Sequence, residues 1–226
     1  MKILAKGWRK WTALLFLGLL SVVVRTEAQE ATKVQTKHCF WKVAGKSNAV
    51  YLLGSVHVLN SRFYPMDKPI EDAFKNSQTL VLEVNLKDAE SPAGQIEMLK
   101  AGIYGPGDSV RNHVSKETYE KLDAHLKKSG SSASSVESFK PWMISVVLLA
   151  GELQKLGFNP MEGVDRYFFK KAEEDGKKVE GLETAAFQLS LFNQLSQDEE
   201  DAMLNESFDE VQNLKKEFND IISAWQ

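Results

Sequence analysis

Of the four histidines in this 226-residue chain, His57 alone stands where an imidazole could meet a substrate. It closes Gly54-Ser55-Val56-His57, directly after the apolar run Tyr51-Leu52-Leu53. Gly54 lets the backbone bend or lets another group approach closely. A neutral imidazole at the mouth of a strand can bind a metal or move protons near neutral pH. Two carboxylates hold comparable places: Glu83 within Val81-Leu82-Glu83-Val84, and Glu183 at the end of the run from Lys178. A carboxylate in an apolar run is costly to bury without a partner, which makes Glu83 a candidate ligand or general base. His57 and Glu83, with Glu183 as a third contributor, leave open positions that suit Zn²⁺, Mn²⁺ or Co²⁺ acting on a bound water. The plain alternative is that His57 only bonds a backbone carbonyl in its loop. His38, His113 and His125 read as strand-edge, loop and helix-surface residues, and no two histidines share a spacing such as His-x-x-x-His. Cys39 is the single cysteine, so no intrachain disulfide can form. Strand alternation puts its neighbour His38 on the opposite face, which argues against a Cys–His nucleophile and for a half-buried thiol.

The elements that must carry these residues are legible from their punctuation. Residues Phe40 to Val43 and Ala49 to Val56 predict two strands, joined by the turn Gly45-Lys46-Ser47-Asn48 as a hairpin. A helix begins near Asp67 with Pro69 in its first turn. The run Thr79 to Leu86 follows as a strand covered on both faces. Strand, helix, strand in that order predicts a βαβ unit with parallel pairing. From Ser91 to Leu156 the chain reads as a large helical insertion, broken near Gly102–Gly107 and Ser129–Ser135. Ser115 caps one of its helices and Pro141 opens another, whose Trp142, Met143, Val146 and Leu149 read as core. Gly163 to Glu174 is a helix and Lys178 to Glu183 a strand. Thr184 caps the next helix, and Ser196 with Glu199 makes a capping box for C-terminal helices. The class is α/β: a small mixed sheet with a βαβ unit, a large helical insertion and C-terminal helices. In open α/β sheets, ligands bind beyond the carboxyl ends of the strands, where His57, Glu83 and Glu183 fall.

Lys2, Lys6, Arg9 and Lys10 precede an apolar run of 14 residues, Trp11 to Val24, with Thr26 and Ala28 as small residues after it. This pattern predicts a signal peptide over 1–28, cleaved after Ala28, with an uncleaved anchor as the alternative. The run is short for a membrane span of about 20 residues, so no stable span is expected after cleavage. The expected destination is periplasmic or secreted. The leader holds five basic residues and one acidic, so residues 29–226 carry a net charge of −7 against −3 for the whole chain. They are long enough for one domain. An acidic chain without a basic block argues against a nucleic-acid partner.

These motifs also carry a resemblance. The segments Leu52-Leu53-Gly54-Ser55-Val56-His57-Val58, Leu82-Glu83-Val84, Pro141-Trp142, Gly163-Val164-Asp165 and Gly181-Leu182-Glu183-Thr184 with Gln188 occur in an order that resembles the TraB/GumN family. That family includes the animal Tiki proteins, with erythromycin esterases and the haem-uptake protein ChaN as more distant relatives. The resemblance implies an α/β fold and, by similarity to Tiki, a metal-dependent peptidase or related hydrolase acting on a peptide or small molecule. His57 and Glu83 match the family's proposed catalytic positions, while Gly54, Ser55, Asp165, Glu183 and Gln188 match other motif positions. Asp165 also suits the N-terminus of its helix. The family pattern carries a second Gly-x-x-His near its C-terminal end, whereas no histidine follows His125 here. That departure predicts a domain incomplete at its C-terminus, by truncation or degeneration. The alternatives to an enzyme are an exported binding protein that sequesters a peptide or small ligand, and an interaction protein built on the helical insertion.

Overall fold

The computed structural model describes residues 39–225; the expected leader lies outside them. Strands and helices mix as expected. The strands are β1 (Phe40–Ala44), β2 (Ala49–Leu53), β3 (Thr79–Val84) and β4 (Lys178–Glu183). The helices are α1 (Lys68–Asn76), α2 (Leu86–Ala89), α3 (Pro92–Gly102), α4 (Lys116–Lys127), α5 (Pro141–Lys155), α6 (Val164–Glu174), α7 (Ala185–Phe192) and α8 (Gln197–Trp225). No helix among the described residues is long and apolar enough to cross a membrane.

The pairing of the strands differs from the βαβ expectation. β1 and β2 form one two-stranded sheet, and β3 and β4 form another. The Gly45–Asn48 turn, closed by the Gly45 amide on the Asn48 carbonyl at 2.8 Å, brings β1 onto β2 through a very short loop. Short loops close at little entropic cost, so β2 pairs with its hairpin neighbour. β2 also stops at Leu53, three residues earlier than expected, because Phe40 opposite Leu53 is the end of the β1 ladder. β3 ends at Val84, since the Asn85 side chain accepts from the Lys87 amide and starts α2. β3 is not covered on both faces: Val81 and Glu83 are exposed.

The chain divides into two compact units, and the division falls within β3, β4 and α8. The first comprises, of the described residues, 39–80, 158–178 and 217–225. Its hairpin turns Phe40 inward, stacked on Tyr51 at 5.9 Å between ring centroids. Its opposite face presents Trp41 beside Leu52 and Val43 beside Val50, all four exposed. α1 buries Ile70, Ala73 and Phe74, and α6 buries Phe168, Phe169 and Ala172. Phe74 meets Phe168 at 5.0 Å, and Phe158 meets Phe218 of α8 edge-on at 4.6 Å.

The second unit comprises Val81–Gly157 and Val179–Lys216. Its core joins Leu122 and Leu126 of α4, Ile144 and Leu148 of α5, and Leu204 and Phe208 of α8. Trp142 and Met143 are buried against Met203, as expected of the helical insertion, whereas Val146 is exposed. The expected caps are present: Ser115 and Thr184 each accept a backbone amide of the following turn at 3.1 Å. Ser196 and Glu199 bond reciprocally, amide to carboxylate at 2.8 Å and amide to hydroxyl at 3.4 Å.

Candidate functional site

The first unit gathers Ser55, His57 and Asp165. Past Leu53 the chain leaves the strand and runs through Gly54 with its flanks held. The Gly54 amide donates to the Cys39 carbonyl at 2.7 Å, and the Trp225 indole donates to the Gly54 carbonyl at 2.7 Å. A Cβ on Gly54 would stand 2.9 Å from the Cβ of Cys39, so the glycine permits this approach. Further on, the Val164 amide donates to the Val56 carbonyl at 3.0 Å, and Leu59 bridges to Asn159. The segment before α6 therefore lies along the segment that carries His57. Gly163 is the closest point of that approach: a Cβ there would be 2.4 Å from the His57 carbonyl oxygen. Gly-Val-Asp thus delivers Asp165, in the first turn of α6, to the histidine.

The geometry at that point is compact. Asp165 Oδ1 lies 3.3 Å from His57 Nδ1, and the Ser55 hydroxyl donates to the same oxygen at 3.4 Å. The Asp165 side chain is 19% exposed and that of His57 34%, so the carboxylate is the enclosed partner and the imidazole the accessible one. Burial alone would raise the Asp165 carboxyl. Its hydrogen bond and charge interaction with His57, its own amide and the Ser55 hydroxyl outweigh burial and hold it below the ordinary carboxylate value. Asp165 is therefore an anion at neutral pH, as the positive end of a helix favours.

Behind this pair stands a set of side chains that the sequence did not single out. The Tyr64 hydroxyl donates to the Glu162 carbonyl at 2.6 Å, and its ring stacks on Tyr167 at 4.2 Å. Burial, then the charge of Asp165, push the Tyr64 phenol above its ordinary value, so it stays a donor. Tyr167 donates to Glu71 Oε1 at 2.6 Å, Lys171 pairs with Glu71 Oε2, and the Met66 amide adds a third donor at 3.0 Å. Glu71 so ties α1 to α6. The one signal in the sequence was the placing of Tyr167 and Lys171 four apart, on one face of a helix.

Glu83, Glu183 and Gln188 belong to the second unit. Glu83 and Glu183 lie near the C-terminal ends of the paired strands β3 and β4, and both are exposed. Contrary to expectation, Glu83 carries no burial cost, because that strand face is open. Gln188 Nε2 donates to Glu183 Oε2 at 3.4 Å. A Cβ on Gly181 would stand 2.6 Å from the Asn85 amide nitrogen, so this glycine permits β4 to close on the end of β3. Of the other histidines, His113 meets Asp108 at 2.7 Å. His125 sits in α4 with its side chain only 19% exposed, against the helix-surface expectation, because Phe208 and Glu152 pack beside it. His38 lies outside the described residues.

A metal usually takes about three protein donors in a catalytic site. Among the described residues, no three His, Cys, Asp or Glu side chains gather in that way. The first unit brings His57 and Asp165 together without a third such donor beside them among the described residues, fewer than a tightly held ion takes.

The chain is similar to the uncharacterized protein YbaP of Escherichia coli strain K12, 26% identical over 145 residues, 64% of this chain and 52% of that protein. An uncharacterized protein of Treponema pallidum strain Nichols is 19% identical over 165 residues, 73% of this chain and 49% of that protein. The chain thus spans about half the length of these curated relatives. No solved structure matches it. The sequence pattern of the TraB/PrgY/gumN family matches residues 39–226, which takes in every motif position above, and the chain belongs to that family.

Proposed function

We propose that the chain carries a hydrolytic site centred on His57, acting on a peptide bond or a related acyl bond. The observation that carries this reading is the half-exposed imidazole held against the enclosed, ionised Asp165 in a chain of this family. In such a pair the histidine takes a proton from an attacking water, and the carboxylate steadies the imidazolium that results. Ser55 gives its hydroxyl to the carboxylate and so holds Asp165 in place. Within the second unit, Glu83 and Glu183 remain candidate carboxylates in their own right, and Gln188 donates to Glu183. A Mn²⁺, Co²⁺ or Zn²⁺ ion enters as an activator to be tested, since no three candidate ligands gather among the described residues. The reading includes export, which rests on the basic and then apolar pattern of residues 2–24. The intact mass of the recovered protein tests cleavage after Ala28.

The direct test is digestion of a peptide library, read by mass spectrometry, with and without each of the three ions. The parent chain is expected to give cleavage products that His57→Ala does not. A parent that cleaves nothing under any condition, or a His57→Ala variant with the parent's pattern, overturns the reading. Tight retention of a peptide without cleavage would favour the exported binding protein instead.

A further inference from the structure

We infer that Asp165 is the positioning residue of this site: it accepts the Nδ1 proton of His57 and so makes Nε2 the basic nitrogen of the ring. A neutral imidazole carries one proton, and the hydrogen bond made at one nitrogen decides where it resides. Asp165 Oδ1 is 3.3 Å from Nδ1, and an ionised carboxylate has no proton to give, so the only hydrogen bond open to that contact is N–H to O⁻. The alternative tautomer would set the Nδ1 lone pair against the carboxylate.

Three features make Asp165 fit for this work rather than only for capping its helix. It is enclosed, so its charge is little screened. It takes a second donor, the Ser55 hydroxyl, on the same oxygen, which leaves Ser55 bonded to the carboxylate and not prepared by the imidazole as a nucleophile. Its backbone is pinned to the His57 segment through Val164 on Val56 and through the close approach at Gly163, so donor and acceptor move as one piece. Carboxylate–imidazole pairs of this kind fix ring orientation and raise the basicity of the far nitrogen. This deepens the hydrolytic reading by naming the reacting atom, Nε2, and it rests on that reading only for its consequence.

The test is the nitrogen spectrum of the ring, taken on the whole chain labelled with ¹⁵N-histidine, without metal or substrate. The pH is held about two units above the ordinary imidazole value so that the ring is neutral. His57→Ala assigns the signals. The parent is expected to show a protonated Nδ1 and an unprotonated Nε2 at His57. Asp165→Ala is expected to lose that pattern, with the signals of His113 and His125 unmoved as a check that the fold persists. Ser55→Ala is expected to keep it. A parent spectrum with the proton on Nε2 overturns the inference whether or not any variant folds. An Asp165→Ala spectrum identical to the parent's does so too. Since neither substrate nor ion is present, failure here is distinct from failure to find hydrolysis.

Discussion

The two units hold their candidate site residues in contrasting ways. In the first, His57 follows a strand end that is tied by Cys39, Trp225 and Val164, and its partner is enclosed. In the second, Glu83 and Glu183 sit at the ends of a two-stranded sheet whose Leu182 is 71% exposed, and α7 buries none of its residues. Pairs of strands are marginal unless something packs on them. The difference separates two demands on a site. Residues that must keep one geometry are backed by long-range packing, whereas the side chains of Glu83 and Glu183 stand on an exposed strand surface.

The contrast can be broken by substitution, beginning with the backbone. Gly163→Ala places a Cβ against the His57 carbonyl and is expected to cost about 3 kcal/mol, since overpacking against backbone has little room to relax. A lower urea midpoint at unchanged slope is the measurement. Glu71→Ala removes the acceptor of Tyr167, Lys171 and the Met66 amide, and should cost about 2 kcal/mol with the exposed share of Lys171 discounted.

Smaller is the effect of pH through His125. Burial lowers its basicity, as do Lys128 and Lys155, against the opposing charge of Glu152. The neutral ring is therefore favoured in the fold, and the unfolded chain binds the proton first. Stability is full above the unfolded value of about 6.5 and is lost as pH falls through the window from there to the lower folded value. His125→Gln should flatten thermal unfolding across that window. Least of all, Glu83→Gln should leave stability within about 0.5 kcal/mol, as an exposed position does. Any loss of hydrolysis in that variant then reports chemistry alone, and a large loss of stability would show that the second unit depends on Glu83.

What the sequence made legible was local. Ser115, Pro141, Thr184 and the Ser196–Glu199 box announce their helices because a cap acts within one turn. The end of β2 is decided by where β1 runs out, which no residue of β2 announces, and composition does not say what packs on β3. His57, Glu83 and Glu183 stood out by type and place. The partnership with Asp165 did not, since Ser55 and Asp165 are 110 residues apart and nothing local links them. Trp225, bonded to Gly54 across 171 residues, was invisible for the same reason.

The central claim is that function is centred on His57 and its carboxylate. The most direct measurement is the rate at which the chain, His57→Ala and Asp165→Ala cleave whichever peptide the parent cleaves best. The account predicts a fall of about 100-fold or more for His57→Ala and a lesser fall for Asp165→Ala, as loss of a positioned acid–base group and then of its orienting partner would give. Rates within twofold of the parent for both variants would contradict it.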